Sequence, residues 1–380
     1  MIIGMSVPQI IKNLKETKRL CGKSIIGQIS EIAHLRLGKG KLSAKEYYDY
    51  RLFDSAFTFE HKKTFVGAWA KGDVYMAQDP QWYGVGNDKA LSYLLLQSFG
   101  LPVPPLKAIY QTRRFHPGVR LLKTPEDFEN WLRDAGNYPF FAKPVAGAFG
   151  LDSCYGEAFD PATDSIVTIS GEHLPVSDFV KRRGGKDVGG LLLQDIITPH
   201  PDITTRIGRR VATARIVTIA SDEDIRIHRA AFRIPVGRNV TDNFNLGAGG
   251  NGFANIDIET GTLSEMYVGL GLSLQKTDKH VDTGETIKGF QLPDWQRALD
   301  IVRLGQSALF GLPILGWDIA FTPTGPVVVE FNTHPGYAML QASGSGFADA
   351  EFRRFFPASP EECRKKYPHI LIGTGGRPRY

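Results

Sequence analysis

The chain has 380 residues, of which 42% are apolar and 22% charged, a composition that excludes a largely disordered protein and predicts two or three packed lobes. Its formal net charge of +5 is too small to argue for nucleic-acid binding, but it fits an anionic ligand such as a nucleotide. Three widely separated cysteines exclude a disulfide framework and zinc spacing, so we expect a reducing, cytoplasmic compartment. The sequence contains no run of about 18 apolar residues, so no transmembrane segment is predicted, and the N-terminus does not resemble a signal peptide.

The first 50 residues are predicted to be helical and basic. Ile10, Ile11 and Leu14 fall at helical spacing among several lysines. Such a helix could lie on a membrane or contact a partner, or it could pack on the body with a solvated basic face, and the second interpretation is favoured. An aromatic-rich helix over residues 44–53 should pack on the body, and it could also pack across a homodimer.

Helix starts are marked clearly in the next part of the chain. A helix is predicted to follow Asn87 or Asp88, either of which suits the N-cap position. Thr124 and Pro125 are typical of an N-cap and a first helical residue. With a predicted strand over residues 106–110 between these helices, the pattern indicates a small lobe of mixed helices and strands.

Beyond residue 137, short apolar strands carry polar residues in an order that suits a nucleoside triphosphate. One predicted strand ends on Lys143, and a loop with Gly147 and Gly150 follows it. A later strand carries Gln194 near its end, and Arg215 lies in the middle of the next. Lysine and arginine bind phosphate, and glycine lets backbone N–H groups approach it. Each of these features is common by itself, so the prediction depends on their order.

Residues 316–336 predict a β-hairpin with an unusual placement of polar residues. Glu330 and Asn332 lie two apart on the second arm and therefore share a face. An odd-numbered loop centred on Thr324 would pair Asp318 with Glu330 and bring three oxygen donors together, whereas an even-numbered loop would place Asp318 on the opposite face. Such a cluster suits Mg²⁺ or Mn²⁺ beside phosphates. The alternative is the solvent-facing side of an edge hairpin.

Three stretches resemble the sugar-transfer-associated branch of the ATP-grasp superfamily. They are LLLQDIITPHPDI followed by TARIVTI, then TDNFNLGAGGNGFANIDIETG, and GWDIAFTPTGPVVVEFNTHPGYAMLQ, of which the last is the most specific. The resemblance covers residues 87–336 and implies an α+β fold in which two α+β lobes clamp ATP, with a helical N-terminal extension. Together with the pattern along the chain, it predicts five regions. They are a basic helical region, an N-terminal α/β lobe, a small lobe, a large lobe with the metal ligands and a tail, over residues 1–54, 55–137, 138–198, 199–356 and 357–380.

The resemblance also implies roles for individual residues. Lys143 would bind the phosphates and Arg215 would be the catalytic arginine, while Lys89 could also reach the nucleotide. Gly147 and Gly150 would belong to the phosphate-covering loop. The implied adenine-binding residues are Gln194, Asp195, Ile196 and Ile197, and the implied metal ligands are Asp318, Glu330 and Asn332.

The implied activity is that of an ADP-forming carboxylate–amine ligase that uses ATP and Mg²⁺ (or Mn²⁺). Its partners would be a small-molecule carboxylate and an amine, joined through an acylphosphate, with no nucleic acid. The branch name associates it with the biosynthesis of sugars, polysaccharides or small peptide-like metabolites. A small-molecule kinase and a non-catalytic nucleotide-binding protein of an envelope pathway are the alternatives. The residues with open or structural roles are His200, His228, His334, Arg233, Asn243 and the stretch Phe244–Gly252.

Overall fold

The protein is an α+β structure built around two sheets of seven strands each. The computed structural model describes residues 5–76, 78–110, 117–146, 153–183, 190–221, 224–237, 239, 241–355, 361–362 and 365. The expected phosphate loop with Gly147 and Gly150 lies outside these residues, as does most of the expected C-terminal tail. Within the described ranges, none of the helices has the length and hydropathy needed to cross a bilayer.

The helices cluster at the N-terminus and on the outer faces of the sheets. In chain order, α1 to α13 are Val7–Cys21, Ile25–Leu37, Ala44–Asp49, Phe59–Lys62, Lys71–Val74, Tyr83–Asn87, Lys89–Ser98, Pro125–Arg133, Val176–Arg183, Pro201–Ile207, Trp295–Ala308, Ala338–Ala342 and Ala350–Phe355. Two predicted helix starts are confirmed. Asp88 accepts hydrogen bonds from the N–H groups of the first turn of α7, and Thr124 forms a capping box at α8.

The first sheet contains the strands before residue 195. In chain order, β1 to β7 are Leu106–Tyr110, Arg120–Leu122, Phe140–Pro144, Cys154–Asp160, Ser165–Thr168, His173–Pro175 and Leu191–Gln194. Their spatial order is β2-β1-β7-β3-β4-β5-β6, and only β1 and β2 are parallel to each other among these pairs. The expected boundary between residues 137 and 138 falls between β2 and β3, so strands from both sides of it share one sheet. The division into lobes stays a proposal.

The second sheet contains the later strands and is antiparallel throughout. In chain order, β8 to β14 are Thr213–Ala220, Ile225–Ile234, Gly252–Ile256, Leu263–Val268, Gln275–Thr277, Ile314–Thr322 and Gly325–Asn332. Their spatial order is β12-β11-β10-β9-β8-β13-β14. Helix α11 packs on one face of this sheet, and its buried side chains join the largest hydrophobic core of the described residues. The opposite face carries the polar residues of β8, β9, β13 and β14 next to a second hydrophobic cluster that includes Val217, Ile219 and Phe253.

The aromatic N-terminal helix packs on the body, as predicted. Tyr47 and Tyr48 of α3 are buried in a cluster that also takes in Leu35 of α2 and Phe65. Two of its hydroxyl groups reach back to α2, since Tyr47 donates to Glu31 at 2.8 Å and Tyr48 donates to Gln28 at 3.0 Å. The N-terminal helices are therefore tied to one another and to the body of the protein.

Candidate functional site

A cavity of about 740 Å³ lies between the two sheets. The first sheet contributes Lys143 and Gln194 to its wall, and the second contributes the polar side chains of β8, β9, β13 and β14. Lys71 and Tyr75, from the N-terminal region, also line it. The cavity is thus the place where most of the candidate residues meet.

The hairpin brings Asp318 and Glu330 together, although not through the expected loop. The turn is even-numbered, because Thr322 pairs with Gly325 across two residues. A β-bulge at Val329 then shifts the register by one residue, so that Asp318 pairs with Glu330 after all. The predicted pairing is confirmed and its premise of an odd-numbered loop is wrong. Asn332 pairs with Gly316, two positions further along, and therefore shares their face.

Asp318 lies at the centre of a buried charge network. Its neighbour on the other side is Arg215, whose Nε and terminal nitrogen donate to the two carboxylate oxygens at 2.5 and 3.1 Å. Arg233 of β9 also contacts Asp318 at 2.8 Å. Although burial acts to raise it, these two guanidinium groups hold the pKa of Asp318 at about 2. Asp318 is therefore the counter-ion of both arginines.

Arg233 is shared between two carboxylates. It lies 3.4 Å from Asp242, and it donates to the Thr213 hydroxyl at 2.6 Å. The same hydroxyl donates to Asp242 at 2.5 Å. Burial is outweighed by the carboxylates of Asp242 and Asp318, which raise the pKa of Arg233 above its usual range. The arginine is therefore a fixed, buried cation on the cavity wall, where the sequence had left its role open.

The predicted metal ligands fit a divalent cation in part. Asp318, Glu330 and Asn332 supply hard oxygen donors on one face, as Mg²⁺ prefers. Nδ2 of Asn332 is buried without a hydrogen-bond partner among the described residues. Because the two ends of an amide are assigned by their contacts, rotating this group would present its oxygen at that point instead. Glu330 and Asn332 fit the role best, since the oxygens of Asp318 already accept hydrogen bonds from arginine.

Lys143 lies at the cavity on the first sheet and contacts the second. Its Nζ donates to the hydroxyl of Tyr93 at 2.8 Å and to the carbonyl of Val329, the bulge residue, at 3.2 Å. Burial lowers the pKa of Lys143 to about 8, while the carboxylates of Glu330 and Asp318 oppose that fall. This lysine is positioned where an anion in the cavity would meet it.

Tyr93 is a buried residue of the site that the sequence did not single out. Its hydroxyl lies 2.8 Å from the carbonyl of Val329 and 3.2 Å from the side-chain oxygen of Gln194, and it accepts the hydrogen bond from Lys143. Tyr93 follows Lys89 by four residues on α7, so the two share a helix face. That spacing was the available signal, and Lys89 also lines the cavity.

The expected adenine-binding residues separate into two groups. Gln194, Ile196 and Ile197 line the cavity. Asp195 is absent from the cavity lining and forms an ion pair with Lys107 at 3.3 Å, with its side chain about half exposed. Asp195 follows the last residue of β7, where its backbone N–H donates to the carbonyl of Pro105 at 2.9 Å and its side chain turns to Lys107 of β1.

Positive charge predominates around the cavity. Lys71, Lys89, Arg209 and Arg210 line it together with Lys143, Arg215 and Arg233, whereas the lining carboxylates among the described residues are Asp242, Asp318 and Glu330. No motif in the sequence marks Lys71, Arg209 or Arg210 as site residues. An excess of cations around a cavity favours a polyanionic ligand.

The three histidines that the sequence analysis named, at positions 200, 228 and 334, differ in their surroundings. His200 caps α10, since its Nδ1 accepts a hydrogen bond from the N–H of Asp202 at 3.2 Å. His228 is buried and contacts the carbonyl of Phe347 at 2.7 Å. His334 lines the cavity, and burial lowers its pKa to about 4. A neutral imidazole at this position adds no charge to the site near neutral pH.

Comparison with known proteins supports the family suggested by the three stretches. The sequence profile described as sugar-transfer associated ATP-grasp matches residues 77–351. No curated protein matches the sequence.

The similar solved structures include an ADP complex of N5-carboxyaminoimidazole ribonucleotide synthetase (13% identity, TM-score 0.40, 69% of this chain and 48% of that chain). Others are an L-amino acid ligase from Bacillus licheniformis (14%, 0.37, 70% and 46%) and D-alanine–D-alanine ligase from Helicobacter pylori (11%, 0.41, 76% and 64%). The chain thus spans about half the length of the first two. By its sequence profile over residues 77–351, the chain belongs to the sugar-transfer associated ATP-grasp family.

Proposed function

We propose that this protein is an ADP-forming ligase that uses ATP to join a small-molecule carboxylate to an amine. The observation that carries the proposal is the convergence of Lys143, Arg215 and Arg233 with the oxygen donors of β13 and β14 in one cationic cavity. This set can bind a triphosphate and a second anion at the same time. Membership of the family supports the same proposal.

The residues divide between holding the nucleotide and holding the group that is transferred. Lys143 would exchange its hydrogen bonds to Tyr93 and Val329 for phosphate oxygens. Glu330 and Asn332, with Asp318, would hold Mg²⁺ or Mn²⁺, which when bound neutralises phosphate oxygens. Gln194, Ile196 and Ile197 would contact the adenine, and Lys89 would add a further cation.

The chemistry would proceed in two transfers. An oxygen of the carboxylate attacks the γ-phosphorus, and the bond from that phosphorus to ADP breaks. The amine then attacks the acyl carbon, phosphate leaves with the bonding electron pair, and the nitrogen loses a proton. Arg215 and Arg233 would stabilise the negative oxygens in both steps, because they are fixed beforehand by Asp318 and Asp242. Closure of the two lobes over ATP would keep water from the acylphosphate.

A release assay for ADP and phosphate tests this proposal. The protein is supplied with Mg²⁺-ATP and with pools of amino acids and sugar acids. We expect release of both products to depend on a substrate pool and to be lost in Glu330→Gln. Glu265→Gln is the matched control, since Glu265 pairs with Lys288 at the surface of β11. This control should keep the activity of the unchanged protein.

The other outcomes separate the competing functions. Substrate-dependent ADP with a stable phosphorylated product would identify a kinase, since no acyl transfer follows. Binding of Mg²⁺-ATP by calorimetry with no turnover in any pool would favour a non-catalytic nucleotide-binding protein. Failure to bind Mg²⁺-ATP at all would contradict the proposed use of the cavity.

A further inference from the structure

The positive charge of the chain is concentrated at its N-terminus. Residues 1–41 contain eight lysines and arginines but only two acidic residues, a net charge of +6. The whole chain carries +5, so the remaining residues carry −1. Helices α1 and α2 and the segment after them therefore form a basic surface on a protein that is otherwise close to neutral.

Helix α2 also presents an apolar stripe to solvent. Ile26 is 82% exposed, Ile29 53% and Leu37 88%, while Gln28 and Leu35 are buried. At 100° per residue the three exposed side chains fall on one face of the helix, opposite the two buried ones. Isolated exposed apolar residues are ordinary, but a stripe along one helix indicates a surface that contacts something apolar.

Two aromatic side chains lie on either side of this stripe. Arg36 packs over the ring of Trp69 at 4.6 Å, and His34 meets the ring of Phe59 at 6.1 Å. Positions 34 and 36 lie on opposite flanks of the stripe when it is drawn on a helical wheel. Trp69 is 42% exposed and Phe59 is 38% exposed. The stripe and the two rings make one surface, which we call the N-terminal platform, and it belongs to the same basic region as the lysines of α1.

The platform is held rigidly to the body. Glu31, on the inner side of α2, pairs with Lys23 and with Lys62, whose side chain is 3% exposed. Tyr47 donates a further hydrogen bond to Glu31. The neighbouring helix α1 is fixed by the side chain of Gln28, which donates to the carbonyl of Leu14 at 3.1 Å. The platform therefore presents its apolar face without any cost of ordering it first.

We propose that the N-terminal platform binds the surface of a bilayer that contains anionic lipid. An exposed apolar stripe flanked by two aromatic rings, in a region whose net charge is +6, suits the boundary between headgroups and acyl chains. Tryptophan is enriched at that boundary, and lysines near it are attracted by the negative surface potential. A second copy of this chain is a poor occupant, because two surfaces of charge +6 would repel. The proposal does not depend on the catalytic function proposed above.

Vesicle co-sedimentation of the full chain tests the platform. The probes are vesicles of phosphatidylcholine alone and of phosphatidylcholine mixed with phosphatidylglycerol. We expect binding to the mixed vesicles only, weakening as salt is raised. The double variant Ile26→Ser/Leu37→Ser should bind at least about tenfold more weakly. Replacing an exposed lysine of α1 by glutamine, at position 12, 15 or 18, should weaken binding about fivefold for each lysine replaced.

The matched control is Leu304→Ser on α11, which removes a 49% exposed leucine far from the platform in sequence. Circular dichroism should show that every variant stays folded, because all the changed side chains are exposed. Absence of binding to the mixed vesicles at low salt would overturn the proposal. Equal binding by Ile26→Ser/Leu37→Ser and Leu304→Ser would also overturn it. Self-association in ultracentrifugation that the double variant abolishes, without vesicle binding, would instead identify a second copy as the occupant.

Discussion

Replacing Asp318 by asparagine should strongly destabilise the protein even when no nucleotide or metal is present. The side chain is 1% exposed and accepts hydrogen bonds from Arg215 and Arg233, whose side chains are 12% and 11% exposed. Asp318→Asn removes the negative charge and leaves two buried guanidinium groups facing an amide. Removing one partner of a buried ion pair costs about 3–5 kcal/mol of unfolding free energy, so we expect a loss in that range.

Asp164→Asn is the matched control for this prediction. Arg133 binds Asp164 through the same two-point geometry, at 2.8 and 2.9 Å, but the side chains are 37% and 49% exposed. An exposed pair is worth about 0–1 kcal/mol, because water screens the charges. The two variants thus compare one interaction at two degrees of burial.

Urea-induced unfolding of the ligand-free protein measures both costs. Tryptophan fluorescence is a suitable signal, because Trp317 is buried next to Asp318 on β13. Equal losses of stability in the two variants would refute the reasoning, since burial would then not decide the cost. Loss of ATP turnover in Asp318→Asn without loss of stability would mean that Asp318 acts through ligand binding and not as a counter-ion.

Three further predictions concern buried groups. Tyr93→Phe should cost about 2–4 kcal/mol of unfolding free energy, because Lys143, Gln194 and Val329 lose a shared hydrogen-bond partner. Tyr267→Phe should cost about 0.5 kcal/mol or less, and urea unfolding of both variants checks the difference. Burial lowers the pKa of His228 from 6.5 to about 4, so the unfolded state binds the proton at a higher pH than the folded state does. The free energy of unfolding should therefore fall as the pH falls from 6.5 towards 4. Unfolding measured over this pH range should show a smaller fall in His228→Gln. Gly305→Ala would bring a Cβ to 2.4 Å from the Trp317 ring and should lower the free energy of unfolding by about 1–3 kcal/mol. A Cβ at Gly84 meets nothing within 4 Å, so Gly84→Ala should leave stability almost unchanged. Thermal unfolding measures both effects.

Local features of the fold were predictable because neighbouring residues determine them. Asp88 and Thr124 cap helices through hydrogen bonds that span two or three residues, and the sequence shows those residues directly. Strand β1 was predicted with its observed bounds for the same reason, since an apolar run between turn residues indicates a strand.

The geometry of the site was only partly predictable, because distant residues determine it. Val329 is an ordinary β-branched residue, and nothing in the hairpin sequence marks it as a bulge. Its carbonyl accepts hydrogen bonds from Tyr93 and Lys143, which lie more than 180 residues earlier in the chain. Arg233 contacts Asp318 on another strand and Asp242 beyond the end of its own strand. Such contacts depend on the assembled fold and leave no local pattern.

The hydrogen bond from Lys143 to the Val329 carbonyl ties the two sheets together across the cavity. A ligand that recruits this ammonium group must first break that tie, and the apparent affinity is reduced by its free energy. A nucleoside without phosphates would leave the tie intact and would bind without this cost. The difference in binding free energy between adenosine and ATP would therefore combine two contributions. One is the free energy lost when Lys143 leaves the Val329 carbonyl, and the other is the free energy gained from the phosphates.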